Sequence, residues 1–168
     1  MSSQPEPWLR GTDTELPAVV RAVVHALELC REDVDRHCAS LSDAALNARP
    51  AQGAPIAFHL RHIVRALDRL LTYAEGRPLS PQQLAALKTE LDPGATRNEL
   101  LAEFHAGLDA ALVRVRALAG VDLEQPRAVG RKALPTSVGG LLVHCADHTQ
   151  RHTGQAVTTA KIVRRQGL

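Results

Sequence analysis

Apolar residues recur every three or four positions in four long stretches of the chain, which is the period of an α-helix with one buried face. In the first stretch, for example, Leu16, Val20, Val23 and Leu27 follow one another at helical intervals. The pattern therefore predicts four long helices, over about residues 14–38, 55–76, 96–120 and 136–163.

Capping residues mark where several helices begin. Thr96 is followed three residues later by Glu99, the spacing of a capping box, and Thr136 or Ser137 can cap the last helix. Ser80 before Pro81 predicts a short additional helix that stops before residues 92–94, Asp-Pro-Gly.

The last helix contains three internal glycines, Gly139, Gly140 and Gly154. Each costs roughly 1 kcal/mol relative to alanine inside a helix, so a packing or access reason is expected for them.

No segment of the sequence is typical of a β-strand, and residues 122–135 are predicted to be irregular and basic. We therefore predict an all-α four-helix bundle, with long connections near residues 40–55 and 76–95. Because these connections are long, consecutive helices need not be antiparallel neighbours. The prediction is a single domain over residues 1–168, with an irregular N-terminal segment over residues 1–12.

Composition and charge narrow the class of protein. One Trp, one Tyr and two Phe leave a core of aliphatic residues, and 20 basic against 18 acidic residues give a net charge of +2. The two signs are interspersed, so no nucleic-acid partner is expected. Without a long apolar run or a signal segment, we expect no membrane partner and a cytoplasmic location. Cys30, Cys38 and Cys145 are predicted to be reduced, buried thiols.

The most informative motif is a stripe of histidines in the last helix. His144, His148 and His152 are spaced four residues apart, which places their imidazoles along one helix face. The second helix carries His59 and His62, and periodicity alone does not decide which of them faces a partner helix.

Imidazole suits zinc, nickel, iron and copper, and a pair at i and i+4 presents two nitrogens to one ion. A third imidazole from another helix leaves a coordination position open for water or substrate, as in catalytic sites. An isolated HxxxH is weak evidence and is more often a packing feature. Here five of eight histidines fall in two short stretches, which favours a metal site. Isolated His25, His37 and His105 are expected to pack or to face solvent.

Residues 148–155, His-Thr-Gln-Arg-His-Thr-Gly-Gln, resemble the HxxxHxGQ signature of the DinB/YfiT-like superfamily. Residues 41–50, 57–63 and 70–74 are similar to the region before and along that family's second helix, so the resemblance covers nearly the whole chain. It implies a four-helix bundle and a metal-dependent activity.

Position by position, the resemblance implies that His62, His148 and His152 are the metal ligands, with zinc or nickel as the expected ion. His59, His144 and Gln155 are then expected to line the cavity or to hydrogen-bond to a ligand or substrate; capping of a polar cavity is the alternative for Gln155. Thiol-dependent relatives suggest a small-molecule substrate and a low-molecular-weight thiol cosubstrate, used by an S-transferase or a hydrolase-like enzyme.

Several other residues lie beside these histidines in the sequence. Arg61, Arg65 and Arg151 could attract an anion, although solvated helix faces are the better reading for each. Asp147 is a weak candidate for acid/base work because it points about 100° away from His148. The rival hypothesis is a metal-binding or dimerising stress-response bundle without turnover. Because bundles often associate through an apolar face, a homodimer is expected.

Overall fold

The computed structural model describes residues 4–167 and contains four long helices: α1 (Ala18–His37), α3 (Ile56–Ala74), α5 (Arg97–Ala117) and α6 (Val138–Arg165). Two shorter helices, α2 (Asp43–Asn47) and α4 (Pro81–Lys88), lie in the connections, as do 3-10 turns at Pro7–Leu9 and Pro50–Gln52. The all-α bundle with a short extra helix is confirmed, and α2 is a second short helix that was not expected.

The caps explain most helix boundaries. Thr96 and Glu99 form the predicted capping box of α5, and Ser80 forms another with Gln83 at the start of α4. Ser137, rather than Thr136, caps α6 by accepting a hydrogen bond from the Gly140 N–H. The start of α1 is later than predicted, at Ala18, because residues preceding a proline avoid helical angles and Pro17 is the N-cap.

The expectation of no strands was wrong for residues 122–135 and their neighbours. Strands β1 (Pro126–Val129) and β2 (Leu134–Ser137) form an antiparallel hairpin in which Pro126 pairs with Ser137. Both strands are four residues long, contain a proline and lack an apolar alternation, so their sequence carries no strand signal. The hairpin forms against the bundle, because β1 packs on α3 and β2 leads directly into α6.

Each long helix packs against two others. α1 and α3 each contact both α5 and α6, so α1 and α3 occupy opposite corners of the bundle. Gln150 contacts Ala26 and Arg164 contacts Ser40, a rising register that makes α1 and α6 parallel. Arg65 contacts Glu103 and Arg114 contacts Glu75, so α3 and α5 are also parallel, with α4 in the crossover between them.

The buried side chains form one aliphatic cluster that all four long helices share, with Phe104 as its only fully buried aromatic residue. Cys30, Cys38 and Cys145 lie in this cluster as free thiols, which confirms their predicted packing role. Within residues 4–167, no helix is both long enough and apolar enough to cross a bilayer.

Candidate metal centre

The antiparallel packing of α3 on α6 brings the two groups of histidines together. His62 Nε2 lies 3.1 Å from His148 Nε2, and His59 Nδ1 lies 3.0 Å from His152 Nδ1. From His62 to His59 the chain runs three residues back along α3, and from His148 to His152 it runs four residues forward along α6. This opposite direction is the register of antiparallel helices, and it brings the histidines of the two helices into contact.

One ring nitrogen from each of His62, His148 and His152 lies within 4.8 Å of the other two, a grouping that could hold a metal ion. The structure thus places His62 in the cluster and His59 one contact away, where the sequence pattern alone left both open. All three residues of the cluster are half-buried, so the site is reachable from solvent.

The donor spacing suits an ion. Two imidazole nitrogens bound to one zinc ion at about 2.0–2.1 Å are about 2.9–3.4 Å apart for ligand angles between octahedral and tetrahedral. The 3.1 Å between His62 Nε2 and His148 Nε2 falls in this range.

Metal binding also requires neutral imidazoles, since a protonated ring has no free lone pair. Burial, reinforced by the neighbouring histidines and Arg151, lowers the pKa of His148 and of His152 to about 4. Both rings are therefore neutral near pH 7, and the donor set fits a divalent transition metal.

Glu90 contacts the His62 ring on the nitrogen that faces away from the cluster. Its Oε2 lies 2.6 Å from His62 Nδ1, and its Oε1 accepts a hydrogen bond of 2.9 Å from Arg69. Burial opposes ionisation of Glu90, but the hydrogen bonds from His62 and Arg69 outweigh it and lower the pKa of the carboxyl. A carboxylate that accepts the Nδ1 proton leaves the Nε2 lone pair of His62 facing the cluster.

Sequence reasoning missed Glu90, because it lies after α4 in the crossover connection. Nothing in its local spacing relates it to His62, which is 28 residues away. The only available signal was general: metal-ligating histidines usually donate their second ring proton to a carboxylate or carbonyl.

His59 plays the corresponding part for His152. It is 5% exposed, and burial together with its histidine neighbours lowers its pKa to about 4, so its ring is neutral near pH 7. A neutral His59 that accepts the Nδ1 proton of His152 leaves Nε2 of His152 with a free lone pair. The structure thus places His59 in direct contact with His152.

A cavity of about 570 Å³ adjoins His59. Its lining includes Arg151, Gly154 and Gln155 from α6 and Gly53 from the preceding connection. Gln155 is thus among the residues that line this cavity. A Cβ built on Gly154 meets nothing within 4 Å, so this glycine leaves space open beside the histidines.

Phe58 covers the other side of the cluster. Its ring stacks on His62 at a centroid distance of 5.1 Å and meets His152 edge-on at 6.1 Å. An apolar ring in this position limits water around the imidazoles and raises the strength of electrostatic contacts there.

The remaining predicted neighbours lie outside the cluster. His144 has a side chain 46% exposed, and its ring lies 5.5 Å from that of His148 without a hydrogen bond to it. Asp147 pairs with Arg151 on the helix surface. Arg61 and Arg65 both reach Glu103, so they are ion-paired and not simply solvated.

A second group of potential ligands, Asp13, His25 and Glu28, also comes together in the structure. Arg116 lies 3.1 Å from Asp13 and 3.4 Å from Glu28, so one guanidinium already pairs with both carboxylates. Buried His25 meets Thr12 at 3.2 Å, which agrees with a packing role.

A family model described as the DinB superfamily matches residues 26–156. The matched region contains His62, His148 and His152, together with Glu90 and His59. Comparison with curated proteins gives no match. Because the family match covers well over half of the sequence, this chain belongs to the DinB superfamily.

Proposed function

We propose that this protein binds one divalent transition metal ion, zinc or nickel, through His62, His148 and His152. The observation that carries the proposal is the meeting of three imidazole nitrogens within 4.8 Å across two antiparallel helices. Glu90 and His59, each in contact with one of the three rings, support it, because such contacts fix ring orientation and tautomer.

The proposed activity is that of a metal-dependent enzyme acting on a small molecule, as an S-transferase that uses a low-molecular-weight thiol or as a hydrolase-like enzyme. A divalent ion lowers the pKa of bound water or thiol and so supplies a nucleophile near neutral pH. Three protein ligands leave a position open for such a group. The resemblance to thiol-dependent relatives favours the thiol.

The chain's own residues would position the substrate. The 570 Å³ cavity beside His59 is of the size that small-molecule sites have, and its lining contains Arg151 but no acidic side chain. We therefore propose that the substrate enters here, with Gln155 and Thr158 as hydrogen-bonding groups and His59 at the end nearest the cluster.

Metal emission spectroscopy on the purified protein tests the ligand set. We expect about one ion per chain in the wild type and loss of that ion in His62→Ala and His148→Ala. His144→Ala is the matched control, since it removes an imidazole from the same helix face outside the cluster. Full metal content in His62→Ala would contradict the ligand assignment.

Activity is tested separately, by screening electrophilic substrates with several thiols before and after metal removal. Metal-dependent consumption of thiol would support the transferase, and turnover without thiol would support the hydrolase. A protein that binds metal but turns over no substrate would support the rival hypothesis of a stress-response bundle.

Substitutions at Gly154 test whether the substrate binds in this cavity. Gly154→Leu places a side chain in the open space beside His59 and is expected to raise KM or abolish turnover while metal content stays unchanged. Gly154→Ala, which changes the backbone preference but fills little space, is the control. Unchanged kinetics in Gly154→Leu would place the substrate elsewhere.

A further inference from the structure

A separate cavity lies away from the histidines, between the end of α3 and the hairpin. It measures about 750 Å³ and is lined by Tyr73, Arg77, Leu84, Arg127 and Arg131, among others. Tyr73 is 11 residues beyond His62 on α3, which corresponds to about 16 Å along the helix axis. The cavity shares no lining residue with the histidine cluster or with the cavity beside His59.

Part of the lining of this cavity is apolar. It includes Pro78, Leu79, Leu84 and Pro126, and the side chain of Leu84 remains exposed. Apolar side chains around an open cavity of this volume are typical of sites that bind small organic molecules.

The lining of the cavity also carries charge. Three arginines line it, and no aspartate or glutamate does. Arg77 is paired with Glu75, but Arg131 has no carboxylate within 4 Å among residues 4–167. The lining therefore contains three cationic side chains and no anionic one, which favours an anionic ligand.

Arg127 is the most informative of the three. This half-buried side chain donates hydrogen bonds to the Ala74 carbonyl, the Pro126 carbonyl and Gln125 Oε1, all of them neutral acceptors. Among the half-buried arginines of residues 4–167, only Arg21 and Arg127 lack a carboxylate partner. The half-buried arginines that have a carboxylate partner are Arg10, Arg31, Arg61, Arg65, Arg69, Arg114 and Arg116.

These hydrogen bonds hold the Arg127 guanidinium in place at the carboxyl end of α3. The helix end offers only partial negative charge, about half an elementary charge, so it does not neutralise the guanidinium. Gly76 beside it has φ of +75°, and a Cβ there would lie 3.6 Å from Arg127 Nε, so the turn brings the backbone close to the arginine. The cation is thus fixed before any ligand arrives.

We propose that this cavity is a second binding site, for a small organic anion with an apolar body and a carboxylate or phosphate group. The apolar part lies against Leu79 and Leu84, and the anionic group faces Arg127 and Arg131. The site is independent of the metal.

The chain's single tyrosine gives a local probe, because Tyr73 lines the cavity. The full chain is labelled on the tyrosine ring and followed by NMR while naphthoate, naphthyl phosphate or the neutral naphthylmethanol is added. We expect at least one of the two anions to shift the Tyr73 signal saturably and to bind at least about fivefold more tightly than the alcohol. The anion that binds more tightly shows whether the site prefers a carboxylate or a phosphate group.

Arg131→Gln is the decisive variant, since this exposed arginine has no carboxylate partner that its loss would strand. We expect anion affinity to fall by about three- to tenfold, while Arg165→Gln, an exposed arginine near the end of α6, leaves it unchanged. No saturable Tyr73 shift with either anion, equal binding of the alcohol, or full affinity in Arg131→Gln would overturn the proposal. Repeating the titration after metal removal should change nothing; a response that disappears with the metal would also overturn it.

Discussion

At the scale of single residues, the histidine cluster depends on where two protons lie. His62 contacts Glu90 through Nδ1 and His148 through Nε2, and His152 contacts His59 through Nδ1. If the Nδ1 protons of His62 and His152 are donated outward, both rings present their Nε2 lone pairs to the cluster. The contacts with Glu90 and His59 therefore favour the tautomers that metal binding would need.

Glu90→Gln is expected to weaken metal affinity by about 10- to 100-fold without unfolding the bundle, because a neutral amide accepts the His62 proton less strongly. Competition with a chromophoric chelator measures the affinity. Asp109→Asn is the matched control, since it removes an exposed carboxylate that pairs with Arg31 far from the cluster. Equal affinities in the two variants would contradict the role of Glu90.

The cysteines give a second prediction at this scale. Burial raises the pKa of Cys30 and Cys145 to about 12 and that of Cys38 to about 11. At pH 8, fewer than about one in a thousand of these thiols is ionised, and the thiolate is the reactive form. We expect no fast reaction with Ellman's reagent in the native protein and three reactive thiols in denaturant. A fast stoichiometric reaction of the native protein would contradict this packing.

At the scale of elements, the sequence predicted what local pattern and capping determine. The four long helices fall within about four residues of their predicted ends, because apolar period and caps act within one segment. The hairpin was missed because its short strands are stabilised by α3 and α6, not by their own residues. Glu90 was missed for the same reason, since its place depends on the path of the crossover.

Two glycines inside helices are expected to change the stability of the fold in opposite directions when they are replaced by alanine. Gly154→Ala is expected to stabilise the fold by about 0.5–1 kcal/mol, because nothing lies near its Cβ position and alanine favours the helix. Gly107→Ala is expected to destabilise it by about 1–3 kcal/mol, since the new Cβ would lie 2.6 Å from Val64 Cβ. Chemical denaturation measures both. Destabilisation by Gly154→Ala would indicate that this position is not open.

At the scale of the whole molecule, the histidine cluster links two helices that are far apart in the sequence. α6 carries two of its histidines and packs on both α1 and α3. An ion held between α3 and α6 would join two helices that α4, α5 and the hairpin separate in the sequence. Because unfolding separates these helices, the three-histidine site exists only in the folded protein, and an ion bound there would contribute to global stability.

Metal removal is therefore expected to lower the melting temperature. At a free ion concentration of about a hundred times Kd, binding stabilises the folded state by about 2.7 kcal/mol, which corresponds to about 5–10 °C for a domain of this size. Calorimetry with and without a chelator measures the shift, which should persist in His144→Ala and vanish in His62→Ala. A full shift in His62→Ala would mean that the ion binds elsewhere, and loss of that shift in His25→Ala would then locate it at Asp13, His25 and Glu28.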